Sequence, residues 1–100
     1  MHITAFQAAA VERNYTKHWD LPRWGNALAG EVGEACNIIK KIDRGDPGIG
    51  KNELADELAD VLGYLVLVAD HAGIDLEAAA IDKFNRVSDR IGSTVKIYSV

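Results

Sequence analysis

Apolar residues recur every three or four positions along most of the chain, and glycine and proline break the pattern at few places, mainly Leu21-Pro22, Gly45 to Gly50, Gly73 and Gly92. That spacing is the signature of amphipathic helices, and it predicts four of them, at roughly 3–18, 22–44, 52–72 and 75–91. Local chemistry agrees at several ends. Pro22 suits a first helical turn, Gly73 stands where a helix C-terminus takes a left-handed residue, and Asp75 is placed as an N-cap. Thr94 to Val100 reads as a short β-prone, extended tail that docks on the body or on a neighbour. No internal repeat or compositional break divides the chain, so residues 1–100 are expected to form one all-α, four-helix domain.

Composition narrows the field without changing this outline. With 100 residues, 48% of them hydrophobic and 26% charged, the chain is that of a soluble folded domain. A single chain of this size buries only about 60 to 65% of its unfolded surface. From Val61 to Ala69 nearly every position is apolar, so the third helix is hydrophobic on all sides and is expected to need cover from a homodimer or a homotetramer. The same run is far shorter than the roughly 20 residues of a membrane span. A formal charge of −4, with no long basic run, argues against a nucleic-acid polymer as partner. Cys36 stands alone and the first ten residues lack the basic start and apolar run of a signal peptide, so the cytoplasm is the expected location.

The chemistry lies in the second and third helices. Trp24, Leu28, Glu31, Ala35, Ile38 and Ile42 step by four and three, the spacing of a buried seam, and Glu31 is the one charged member. Glu34 lies one turn on, at the seam's edge. An ionised carboxylate in an apolar stripe is costly unless a cation meets it. In the third helix Leu54, Leu58, Val61 and Leu65 are the expected core stripe, with Glu53, Glu57, Asp60 and Tyr64 along its flank. The turn between Asp43 and Gly50 lets the two helices fold back, which brings Glu31, Glu34, Glu57 and Asp60 together, with Glu53 in reach as a further oxygen. Four converging carboxylates suit Mg²⁺ or Mn²⁺, hard cations that take oxygen ligands and commonly bridge to substrate phosphates.

The strings Leu28-Ala29-Gly30-Glu31-Val32-Gly33-Glu34-Ala35 and Glu57-Leu58-Ala59-Asp60-Val61-Leu62 resemble the paired Glu-x-x-Glu and Glu-x-x-Asp signature of MazG-like nucleoside triphosphate pyrophosphohydrolases, over about Pro22 to Arg90. The resemblance implies an all-α enzyme that uses Mg²⁺ to cleave a nucleoside or deoxynucleoside triphosphate to its monophosphate and pyrophosphate. It makes Glu31, Glu34, Glu57 and Asp60 the metal ligands, and it implies house-cleaning or control of nucleotide pools. Gly30 stands where many members carry another Glu, a departure shared with the dCTP pyrophosphatase branch. Either Glu31 or Glu34 is placed to take a proton from the attacking water. By the same resemblance Tyr64 and Trp24 are candidate base contacts. Lys83 and Asn85, in a Lys-Phe-Asn string followed by Ser88, resemble phosphate or metal-water contacts of phage-type members. Lys41, two turns after Glu34, is a further phosphate candidate.

Competing patterns fail on particular residues. Gly45 to Asn52 mimics a phosphate loop but ends in Asn and follows an amphipathic helix rather than a strand. An EF-hand starting at Asp43 would need Glu where Leu54 stands. A di-iron site would want Glu-x-x-His pairs, and no histidine among His2, His18 and His71 supplies one. Cys36 has no histidine nearby in sequence to activate it. Two rival functions remain open: a non-catalytic helical module stabilised by metal, and a pyrophosphohydrolase of another phosphorylated substrate such as phosphoribosyl-ATP.

Overall fold

The computed structural model describes residues 2–14 and 18–98, and they form four helices: α1 (Ile3–Arg13), α2 (Leu21–Arg44), α3 (Lys51–His71) and α4 (Leu76–Ile91). Three match the expected spans to within a residue. The first ends earlier than expected, at Arg13, and residues 15–17 lie outside the described residues.

Each boundary has a local cause. Asp20 caps α2 by accepting the backbone N–H of Arg23 at 2.9 Å, and Pro22 sits in the first turn, where its missing N–H costs nothing. At the other end Gly45 adopts φ 79°, and its N–H and that of Asp46 return to the carbonyls of Ile42 and Lys41. Asp46 then grips Arg44 through two hydrogen bonds, closing the six-residue turn that reverses the chain into α3. Asp75 caps α4 as expected, accepting from Ala78 N–H. The N-terminus of α1 has no cap of its own. Glu77 of α4 supplies one, accepting the N–H of Ile3 at 2.9 Å and the Thr4 hydroxyl at 3.1 Å. The Gln7 amide brackets the turn before α4, donating to the Ile74 carbonyl and accepting the Leu76 N–H.

The α2–α3 hairpin is the main packing unit, and α1 and α4 lie against α3 and each other without a close backbone approach to α2. The core is small. Trp24, Ala35, Val66 and Ala69 are the buried apolar residues among those described, joined by Ser88. The expected α3 stripe is half right: Leu54 and Val61 turn inward, whereas Leu58 and Leu65 are exposed and Glu53 and Glu57 are half-buried. The acidic flank, not the leucine edge, therefore faces α2. Residues 93–98 form no strand. They run back along α4, where Asn85 donates to the Ile97 carbonyl (2.7 Å) and accepts the Ile97 N–H (2.8 Å), and Lys96 pairs with Asp89. No helix is long and apolar enough to cross a membrane.

Candidate active site

Glu31 on α2 meets Glu57 and Asp60 on α3, with one carboxylate oxygen from each lying within 4.8 Å of the others. The hairpin makes this meeting local, because the seam position of Glu31 and the i, i+3 pair on α3 face one another across it. Glu34 stands on the exposed rim and hydrogen-bonds to both Glu31 and Glu57. Two carboxylates make such a contact only by sharing a proton.

The electrostatics are those of a site short of positive charge. Desolvation, and then the charges of Glu34, Asp60 and Glu57, push the Glu31 carboxyl above its usual range. Desolvation followed by Glu34 and Asp60 does the same to Glu57. Among the described residues the ion pairs are Arg44–Asp46, Arg86–Asp82 and Lys96–Asp89, so no basic side chain neutralises the cluster. One oxygen each of Glu31, Glu53 and Glu57 is buried with no hydrogen-bond partner. Buried acceptors left unmatched in this way are what a hard divalent cation satisfies, and the donor set, all carboxylate oxygen, fits Mg²⁺ or Mn²⁺. Glu53, one turn before Glu57, lies outside the trio.

Beside the cluster is a hollow of about 570 Å³ between α1, the start of α2 and α3. Phe6, Trp19, Trp24 and Tyr64 line it, four of the chain's seven aromatic residues, together with Arg13 and Asn14. Trp24 is stacked at a tilt between Trp19 and Tyr64, with ring centroids 4.7 and 6.2 Å away. Arg23 lies over the Trp19 ring. Asp60 belongs both to this wall and to the acidic trio, so the aromatic hollow and the cation site share an edge.

The expected residues thus separate into groups. Glu31, Glu57, Asp60, Trp24 and Tyr64 come together, with Glu34 on the rim. Lys41 is half-buried towards the loop end of the hairpin, close enough to help hold Asp46 ionised. Lys83 and Asn85 stand on α4, away from the α2 backbone, and Asn85 is engaged by the tail. Sequence reasoning missed Phe6, Arg13, Asn14 and Trp19. The concentration of aromatics in a chain with so few was the available signal.

No solved structure matches the chain. It is 33% identical over 82 residues to dCTP pyrophosphatase 1 of Homo sapiens, an alignment covering 76% of this chain and 48% of that protein, so the chain spans about half the length of this curated relative. The model of the MazG nucleotide pyrophosphohydrolase domain matches residues 23–91, which include the whole acidic hairpin. The chain belongs to the MazG nucleotide pyrophosphohydrolase family.

Proposed function

We propose that the chain is a Mg²⁺- or Mn²⁺-dependent pyrophosphohydrolase that converts a deoxynucleoside triphosphate to its monophosphate and pyrophosphate, clearing or balancing nucleotide pools in the cytoplasm. The observation that carries this reading is the shared edge at Asp60. A ligand with an aromatic base at one end and a chelating, highly charged group at the other fits a site in which a stacking hollow adjoins a cation-hungry carboxylate cluster.

Glu31, Glu57 and Asp60 would hold the ion, with Glu34 completing the set from the rim. Bound there, a divalent cation neutralises phosphate charge and lowers the pKa of a coordinated water. Glu34, exposed and already hydrogen-bonded to Glu31 and Glu57, is placed to accept a proton, and Glu31 is the alternative base. Trp24 and Tyr64 orient the base and exclude water from its faces. Lys41 and Lys83 are the cations we assign to the outer phosphates. Asn85 joins them only if it releases Ile97.

The test is pyrophosphate release from a panel of deoxynucleotides and ribonucleotides, beginning with dCTP because that is the substrate in the name of the human relative. Release with Mg²⁺, absent with chelator and in Glu34→Gln, supports the reading. Thermal stabilisation by Mg²⁺ without release from any nucleotide refutes it and favours the non-catalytic metal-stabilised module or a non-nucleotide substrate.

A further inference from the structure

The outer face of the α2–α3 hairpin is apolar and uncovered. On α2, Gly25, Ala29, Val32, Cys36 and Ile39 step by four and three, and all five are exposed. On α3, Ala55, Leu58, Leu62 and Leu65 step by three and four, and only Leu62 is half-buried. These are seams of the kind that pack helix on helix, yet Ile39 is 50% and Leu58 53% exposed. At 100° per residue each stripe is centred about 120° around its helix from Glu31 or Glu57, on the side away from Glu34 and Asp60. Equal offsets on antiparallel helices put both stripes on the same side of the hairpin, with the acidic rim on the other.

We propose that this face is the interface with a second copy of the chain. The size of the deficit fits. The chain exposes 7097 Å², whereas a compact monomer of its mass exposes about 5,600 Å². The excess, roughly 1,500 Å² per chain, lies within the range of about 1,000 to 2,500 Å² per partner buried in obligate dimers. Its radius of gyration is 16.1 Å, against about 13 Å for a compact domain of 100 residues. The face also suits itself. No charged residue interrupts either stripe, and a small-residue stripe lies beside a leucine stripe, so a two-fold axis sets the leucines of one copy against the small residues of the other. Because so little of the chain is buried within itself, the cover must be present whenever it is folded, a condition its own copy always meets.

This inference is independent of the nucleotide reading, since it is read by mass and thiol access. Light scattering should give the native protein twice, or four times, the 10.9 kDa chain mass. Ile39→Glu and Leu65→Arg should reduce it to a single-chain mass or abolish the helical signal, while Ile91→Glu and Tyr98→Glu, on residues at least as exposed but off this face, leave it unchanged. Cys36 reports on the wild type without any mutation: exposed in the isolated chain, its thiol should react with a disulfide reagent at least about tenfold more slowly in the native protein than after unfolding in urea. A folded native protein of single-chain mass, a native thiol as reactive as the unfolded one, or loss of mass with Ile91→Glu but not with Ile39→Glu would overturn it.

Discussion

The two sides of the α2–α3 hairpin are incomplete in opposite ways. One side gathers carboxylates whose buried oxygens lack donors, and the other leaves leucine and isoleucine in water. Both are costs that a folded chain does not carry without a return, and the kind of cost names what removes it. Unmatched oxygen acceptors are satisfied by a cation, and apolar stripes at heptad spacing by another helix pair. Function and assembly are thus separated by a rotation about the same two helices.

The largest effect that would break this separation is on catalysis. Glu57→Gln should reduce pyrophosphate release at least about 100-fold, because a ligand to the ion is lost. The metal-free variant should melt no lower than wild type, since a repelling charge is removed from the trio. Calorimetry with and without chelator checks both. A fall in metal-free stability would show that the carboxylates hold the fold together, and the contrast between the faces would fail.

The next effect is the response to metal. Mg²⁺ at about 100 times its dissociation constant should stabilise the wild type by about 2.7 kcal/mol, seen as a rise in melting temperature that Glu31→Gln greatly reduces. The apolar variant Ile39→Glu, if it retains a folded fraction, should still show binding of Mg²⁺ by isothermal titration.

The pH dependence sharpens the same point with a smaller signal. Glu31 and Glu57 have carboxyls raised by folding, so protonation favours the metal-free fold. Their contribution is complete below the ordinary glutamate value of about 4.3 and is lost as pH rises through the raised folded values. Metal-free protein should gain from acidification in this window relative to Glu57→Gln. With Mg²⁺ in excess the trend should reverse, because the ion needs ionised ligands. The smallest expected effect is Asn85→Ala, which frees the tail at Ile97 and should cost about 1 kcal/mol, measured by urea denaturation, without altering metal binding.

Much of this arrangement is legible in the chain itself. The seam from Trp24 to Ile42 reveals Glu31 as misplaced unless it meets a cation, and Gly73, Asp75 and Pro22 mark helix ends because each has one dominant local use. Periodicity serves α3 less well. Its leucine stripe and its acidic flank lie within a quarter turn of each other, so spacing alone does not decide which faces α2, and burial of Glu57 in place of Leu58 is a choice made by the pairing of helices. The aromatic hollow is less legible still. Phe6, Trp19 and Tyr64 are brought together from α1, the segment before α2 and α3, and no local rule links residues so far apart.

Glu77 and Gln7 tie the start of α1 to α4 and to the turn before it, not to the hairpin that carries the carboxylates. The same helix supplies Phe6 and Arg13 to the hollow. One wall of that hollow is therefore a separately anchored part, free to drift in sequence and tilt over generations while the ion ligands stay fixed on α2 and α3. A lineage built this way exchanges one base for another by adjusting α1 and leaves its hydrolytic apparatus untouched.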